Sequence, residues 1–121
     1  MVSILIIEDE EQIRGLLAAM LEEAGYHVMC AGNGAEGLRL FEQKSFDLVI
    51  TDIMMPEKDG IETIRELKRE SPQMKIIAIT GYRGRFNRLP AAEFLGAELT
   101  LMKPFTRAEL LGKVHELLPR L

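Results

Sequence analysis

The sequence predicts a single α/β domain in which helices cover both faces of a five-stranded parallel sheet. Five short apolar runs of strand length alternate along the chain with segments of helical periodicity. Two of these runs, at residues 4–7 and 48–50, are continuously apolar, which is typical of strands buried on both faces of a parallel sheet. Strands and helices that alternate through short loops imply right-handed crossovers, and therefore a doubly wound α/β sandwich of five βα units.

The individual elements follow from the spacing of the apolar residues. Strand-length runs define five predicted strands: Val2–Ile7, His27–Ala31, Phe46–Thr51, Lys75–Thr80 and Leu99–Met102. Residues at helical spacing define four predicted helices, which contain Ile13, Leu16, Leu17, Met20 and Leu21; Leu38 and Phe41; Ile61, Ile64, Leu67 and Lys68; and Leu110, Leu111, Val114 and Leu118.

The predicted helix ends carry residues that commonly cap helices. Three helices begin with a polar side chain that can accept a backbone hydrogen bond and have a glutamate three positions later: Asn33 and Glu36, Asp59 and Glu62, Thr106 and Glu109. Gly25 is placed to end the first helix, because glycine readily adopts the left-handed conformation found there.

The segment Gly81–Leu95 has the least regular pattern. Two glycines and Pro90 interrupt it, and a proline is tolerated only in the first turn of a helix, so the pattern predicts only a short helix over Pro90–Leu95. Arginines cluster at positions 83, 85 and 88. The segment is interpreted as a mobile solvated loop, with a basic partner-binding surface as the alternative.

The composition is that of one soluble globular domain. A chain of 121 residues holds one well-covered core and is too short for a second. The net charge of −4 argues against direct nucleic-acid binding, which would require a basic stripe. Cys30 has no second cysteine to pair with, so it is predicted to be a reduced core thiol. The apolar stretch before Glu8 is too short for a signal sequence or a membrane span, which predicts a cytoplasmic protein.

Polar residues follow four of the predicted strands at their C-terminal ends. These residues are Glu8, Asp9, Asp52, Thr80 and Lys103. Because the carboxyl ends of parallel strands share one edge of the sheet, these side chains are predicted to converge on one pocket. Three clustered carboxylates repel one another and favour a bound cation, and carboxylate oxygens are ligands that Mg²⁺ prefers. The sequence therefore predicts a Mg²⁺ site formed by Glu8, Asp9 and Asp52.

Asp52 is the candidate for covalent chemistry in this pocket. A carboxylate can attack phosphorus to give an acyl phosphate, and phosphoryl transfer depends mainly on positioning and charge neutralisation. Lys103 supplies a positive charge, and Pro104 keeps it out of the helical region. Thr80 offers a hydroxyl that can hydrogen-bond a phosphoryl oxygen; alternatively, it is a β-branched strand residue without such a role.

Together, these motifs resemble the response regulator receiver domain of two-component signalling. The resemblance spans essentially the whole chain and rests on Glu8-Asp9, Asp52-Ile-Met-Met-Pro56 with Asp59-Gly60, Thr80 and Lys103-Pro104-Phe105. It implies a flavodoxin-like fold over residues 1–121 and a phosphorelay module. In that module, Asp52 accepts a phosphoryl group from a phosphohistidine on a sensor histidine kinase or a histidine phosphotransfer protein. The resemblance also implies that Asp9, Asp52 and the carbonyl of Met54 bind Mg²⁺ directly, and that Glu8 acts through water.

The resemblance implies a signalling module and not an enzyme. The phosphorylated domain would switch its binding to a downstream protein target or a fused output domain, and would assist only its own phosphorylation and dephosphorylation. Receivers commonly carry Tyr or Phe three residues before the lysine, where this chain has Thr100. The usual signal through the face of the fourth helix, fifth strand and fifth helix is therefore not expected, and Tyr82 is a candidate substitute for the missing ring.

Three other classes of protein fit the sequence less well. A constitutive pseudo-receiver scaffold would be favoured if an acidic residue, Thr80 or Lys103 were missing, and all are present. A phosphatase with an aspartyl nucleophile needs an acid–base carboxylate close after Asp52, and Met54 stands there instead. A flavin or dinucleotide binder would carry a glycine-rich loop after the first strand, and the sequence has none there.

Overall fold

The computed structural model describes residues 1–53, 60–81 and 96–118 of the chain. One sheet contains the five strands β1 (Ser3–Ile7), β2 (His27–Ala31), β3 (Leu48–Asp52), β4 (Ile76–Thr80) and β5 (Leu99–Met102). The described helices are α1 (Glu11–Glu23), α2 (Gly34–Gln43), α3 (Gly60–Glu70) and α4 (Arg107–Leu117). The predicted short helix over Pro90–Leu95 lies outside the described residues.

The sheet is parallel throughout, and its strand order is β2-β1-β3-β4-β5. Strand β1 pairs with β2 on one side and with β3 on the other, so the chain changes direction across the sheet between β1 and β3. In open α/β sheets, ligands bind at such a switch point, beyond the carboxyl ends of the strands. The predicted fold class is confirmed, and the topology directs attention to the ends of β1 and β3.

Alternation along the strands sends side chains into two separate cores. On β1, Ile4 and Ile6 belong to the core that contains apolar residues of α1 and α4, whereas Leu5 and Ile7 belong to the core that contains those of α2 and α3. These four side chains are fully buried. Burial on both faces of the strand is what a doubly wound sandwich requires, and it explains the continuously apolar run.

The described helix ends match the predicted caps. Asn33 Oδ1 accepts a hydrogen bond from the Glu36 N–H at 2.8 Å, and Thr106 with Glu109 forms a complete capping box. Gly25 follows the end of α1 with a φ of 99°, in the left-handed region that favours glycine. The predicted cap at Asp59 lies outside the described residues.

Two predictions about burial are wrong in part. Leu16 was expected on the apolar face of the first helix but is 54% exposed, because Leu17 and Leu21 form the buried stripe and Leu16 lies outside it. Cys30 is a free thiol but only half-buried, because its strand β2 is at the edge of the sheet. Within the described ranges, no helix combines the length and the apolar character that a membrane span requires.

Candidate functional site

Three charged residues at the ends of strands have side chains on the same face of the sheet. Glu8, Asp52 and Lys103 each follow, two positions later, a buried apolar residue of β1, β3 or β5 that packs in the core beside α1 and α4. Because successive side chains of a strand point to opposite faces, residues two apart point to the same face. The alternation therefore directs all three side chains to one location at the carboxyl edge of the sheet.

The carboxyl edge contains a compact cluster of charges. Lys103 Nζ lies 2.8 Å from Asp52 Oδ2, 2.7 Å from Glu8 Oε1 and 3.9 Å from Glu10 Oε1. Glu8 is fully buried, and Asp52 is only 3% exposed. One carboxylate oxygen from each of Glu8, Asp9 and Asp52 lies within 4.8 Å of the others. The structure thus brings together four of the predicted site residues.

The other two predicted site residues are described incompletely. The backbone of Thr80 ends β4 and pairs with Met102 of β5, which places its main chain at the same edge as the charge cluster. Its side chain is not among the parts that the structure describes, and Met54 lies outside the described residues. The roles assigned to the Thr80 hydroxyl and the Met54 carbonyl stay predictions.

The environment shifts the pKa values of two members of the cluster. Burial raises the pKa of Glu8 to about 7, and the negative charge of Asp52 adds to this effect, while the hydrogen bond from Lys103 opposes it. Burial acts to lower the pKa of Lys103, but its hydrogen bonds to Asp52 and Glu8 outweigh burial and leave the pKa above its usual value. Lys103 is therefore a cation at neutral pH, and it is shared between two buried carboxyl groups.

Two glycines permit close approaches around Asp52 and Lys103. A Cβ atom on Gly60 would lie 2.3 Å from both Asp52 O and Ile53 Cα, so the beginning of α3 packs directly against the backbone at the end of β3. A Cβ atom on Gly81 would lie 3.3 Å from Lys103 Cβ and Cδ. Gly60 therefore cannot be replaced without moving the backbone that holds Asp52.

The sequence prediction missed two residues that support the site: Glu10, in the turn between β1 and α1, and Arg14, in the first turns of α1. Glu10 donates its N–H to Glu8 Oε2 at 3.2 Å, and the side chain of Arg14 donates from Nη1 to Glu8 O at 2.9 Å. A basic residue in the first turn and a half of the helix that follows an acidic pair is the signal that could have identified Arg14. Both residues hold the segment that carries Glu8 and Asp9.

An apolar groove opens beside Lys103. Its volume is about 420 Å³, and the residues that line it are Ile13, Leu16, Gly81, Lys103, Pro104 and Phe105. The exposed Leu16 side chain therefore belongs to a continuous apolar surface that reaches the charge cluster.

This arrangement combines carboxyl groups with an ammonium group in one buried place. Asp52 is a carboxylate with a nearby ammonium group, and two further carboxyl groups lie within reach of the same space. Hard divalent cations such as Mg²⁺ prefer carboxylate ligands of this kind. The site therefore combines the kind of oxygen donors that divalent cations prefer with a carboxylate, Asp52, that contacts an ammonium group.

The chain belongs to the family described as the response regulator receiver domain, whose model matches residues 4–115. The match covers strand β1 from its second residue, all of the other four strands and most of the last described helix. The protein is therefore a receiver domain of two-component signalling, and the family resemblance seen in the sequence is confirmed.

Individual relatives agree with this assignment. The chain is 37% identical over 118 residues to the probable transcriptional regulator ycf27 of Cyanidium caldarium, which covers 98% of the chain and 47% of the relative. It is 36% identical over 115 residues to the response regulator receiver protein CpdR of Brucella abortus, which covers 95% of both proteins. The solved structure of the response regulator TrrA of Thermotoga maritima, in complex with Mg²⁺ and BeF, has a TM-score of 0.87 and 38% identity, and the match covers 98% of this chain and 100% of that one. The chain spans about half the length of the transcriptional regulators that it matches.

Proposed function

We propose that residues 1–121 form a phosphorelay receiver that accepts a phosphoryl group on Asp52, in a Mg²⁺-dependent reaction. The observation that carries this proposal is the buried contact of 2.8 Å between Lys103 Nζ and Asp52 Oδ2, with two further carboxyl groups within 4.8 Å. Phosphoryl transfer depends mainly on positioning and charge neutralisation. The cluster offers both, because Lys103 fixes one side of Asp52 and the acidic residues can hold a cation on another.

The set of oxygen donors fits Mg²⁺. This ion is usually held by one or two carboxylates, together with waters and the oxygens of a phosphoryl group. We assign direct contacts to Asp9, Asp52 and the carbonyl of Met54. A contact through water is assigned to Glu8, because its buried Oε1 already lies 2.7 Å from Lys103 Nζ. When bound, the ion would neutralise negative charge on the phosphoryl oxygens.

The chain's own residues then have separate tasks in the transfer. A carboxylate oxygen of Asp52 attacks the phosphorus of a phosphohistidine, so that an O–P bond forms while the P–N bond breaks. The imidazole nitrogen keeps the electron pair of that bond and takes up a proton. Lys103 moves its contact to a phosphoryl oxygen, and the Thr80 hydroxyl donates a hydrogen bond to another.

The donor is a sensor histidine kinase or a histidine phosphotransfer protein, and we assign its docking to the groove beside Lys103. The groove is apolar, contains the exposed Leu16 and shares Lys103 with the phosphoacceptor site. A donor surface packed there would present its phosphohistidine next to Asp52. Phosphorylation would then alter binding to a downstream protein target or a fused output domain, without any classical enzyme activity.

The direct test is labelling with a small phosphodonor. Acetyl phosphate with Mg²⁺ should add one phosphoryl group to the wild-type chain, as measured by intact mass, and a chelator should suppress the addition. Asp52→Asn should abolish labelling. Asp47→Asn is the matched control, because Asp47 precedes the same strand but bonds the Ser3 N–H at 2.8 Å, away from the cluster. Labelling that persists in Asp52→Asn would remove Asp52 from the acceptor role, and an unlabelled wild-type chain would indicate a constitutive scaffold.

A further inference from the structure

We propose that Arg14 is a positioning residue that holds the β1–α1 turn in the conformation in which Asp9 faces the Mg²⁺ site. The inference rests on the proposed function, because it explains how the proposed metal site keeps its shape. Arg14 itself does not contact the three carboxylates through any bond that the structure shows. Its contact is with the backbone of the segment that carries two of them.

The hydrogen bonds of the turn anchor the peptide units on both sides of Asp9. Arg14 Nη1 donates to Glu8 O at 2.9 Å, and this carbonyl belongs to the peptide unit between Glu8 and Asp9. The Glu10 N–H, which belongs to the next peptide unit, donates to Glu8 Oε2 at 3.2 Å. Because both adjoining peptide planes are held, the direction of the Asp9 side chain is limited to its own rotamers.

Arg14 supplies an anchor that the helix start does not provide. Glu10 is the N-cap residue of α1, and its side chain makes no capping hydrogen bond. The backbone N–H of Arg14 donates to Glu10 O at 2.9 Å, and the Arg14 side chain adds a bond from the helix to Glu8 O, which lies further back in the turn. A planar guanidinium group keeps its charge at all relevant pH values and is pre-organised for such a bond.

The guanidinium group lies against the neighbouring turn. A Cβ atom on Gly32 would lie 3.4 Å from Arg14 Nη1, so the arginine packs against the bare backbone at the start of the β2–α2 connection. Gly32 donates its N–H to Glu36 Oε2 at 3.3 Å, which ties that connection to α2. Arg14 thus links the acidic turn to a second turn at the same edge of the sheet.

If Arg14 positions Asp9, removing its side-chain donor should measurably weaken the affinity of the domain for Mg²⁺. Residues that orient metal ligands without touching the ion typically contribute about 10-fold to 100-fold to affinity. Arg14→Met keeps most of the apolar stem but removes the donor, and Arg14→Lys keeps a donor. Arg107→Met is the control, because it removes an arginine whose partner, Glu23, lies at the other end of α1.

The experiment is a calorimetric titration of Mg²⁺ into each purified domain, together with thermal unfolding in a chelator. We expect Arg14→Met to bind Mg²⁺ about tenfold more weakly, Arg14→Lys to recover most of the affinity, and Arg107→Met to match the wild type. Should Arg14→Met fail to fold, Arg14→Gln serves as the test variant, with the same expected weakening.

The role would be merely structural if Arg14→Met, or Arg14→Gln in its place, melted at a lower temperature in chelator but bound Mg²⁺ as tightly as the wild type. That result overturns the inference. Failure of the proposed function looks different, because the wild-type domain itself would then show neither Mg²⁺ binding nor labelling of Asp52 by acetyl phosphate.

Discussion

The two edges of the sheet each contain a lysine that is ion-paired, with one carboxylate at the amino edge and with more than one at the carboxyl edge. At the amino edge, Lys68 Nζ lies 2.7 Å from Glu98 Oε2 and also donates to Met74 O, while Glu98 Oε1 accepts from the Ile76 N–H at 2.8 Å. One cation faces one anion, and both carboxylate oxygens are used. At the carboxyl edge, Lys103 is the cation beside the three clustered carboxyl groups.

The difference separates a structural ion pair from a site prepared for a ligand. The amino edge connects α3 to the backbone that precedes β4 and β5, and it needs no further ion. The carboxyl edge has an excess of negative charge in a buried location, and the raised pKa of Glu8 reflects the cost of ionising it there. We therefore expect the amino edge to govern stability alone, and the carboxyl edge to couple stability to a divalent cation.

Replacing each lysine by methionine should give the largest effect and separate the two edges. Removal of Lys103 leaves buried carboxyl groups without their cation, so the free energy of unfolding in chelator at pH 8 should fall by about 3 kcal/mol. Added Mg²⁺ should restore much of this loss. Lys68→Met should cost about 1 kcal/mol, because Glu98 is partly exposed and can be hydrated, and Mg²⁺ should not restore it. Urea unfolding with and without Mg²⁺ measures the free energy of unfolding of both variants. If Mg²⁺ restored the two variants equally, the proposed difference between the two edges would be wrong.

The pH dependence of stability should reveal Glu8. Its pKa in the folded protein is about 7, above the ordinary value of 4.5, so the folded state binds the proton more tightly than the unfolded state. Stability of the metal-free protein should therefore fall as the pH rises from 4.5 through 7 and level off above that. Glu8→Gln should remove this component from a series of urea unfolding curves. A variant that keeps the same pH slope would assign the slope to another group.

Removing one carboxylate from the cluster should have the smallest effect on stability. Unlike the lysine replacements, it should stabilise the metal-free protein. Asp9→Ala relieves repulsion in the acidic cluster, so we expect the metal-free protein to gain about 1 kcal/mol in the free energy of unfolding. Glu98→Ala is the matched change at the amino edge, and it should destabilise, because Lys68 and the Ile76 N–H lose their acceptor. Thermal unfolding in chelator compares the two; a lower melting temperature for Asp9→Ala would mean that the carboxyl edge is not overcharged.

The parts of the fold that the sequence predicts depend on local patterns. Strands β2 and β5 have the predicted bounds, and for β5 the charged residues Glu98 and Lys103 delimit the apolar run on both sides. The bounds of the third strand differ from the prediction: the sequence predicts Phe46–Thr51, whereas β3 is Leu48–Asp52. Phe46 is buried but lies before the strand, and apolar character alone does not distinguish a buried turn residue from a strand residue.

The convergence of the site residues was predictable, but several of its contacts were not. Strand ends on a parallel sheet must share an edge, which is enough to bring Glu8, Asp52 and Lys103 together. The close packing of Gly60 against the β3 backbone and the bond from Arg14 to Glu8 O depend on how helices seat on the sheet. The sequence pattern can mark Arg14 as a basic residue close after the acidic pair, but the atoms that these residues contact are set by the tertiary structure.

The most direct test of the central claim is a calorimetric titration of Mg²⁺ into three proteins: the wild-type domain, Asp9→Ala and Glu98→Ala. The account predicts one Mg²⁺ site in the wild type, at least about tenfold weaker binding in Asp9→Ala, and unchanged binding in Glu98→Ala. Equal affinities in the wild type and Asp9→Ala, or equal weakening in both variants, would contradict the claim that the excess negative charge at the carboxyl edge is a metal site.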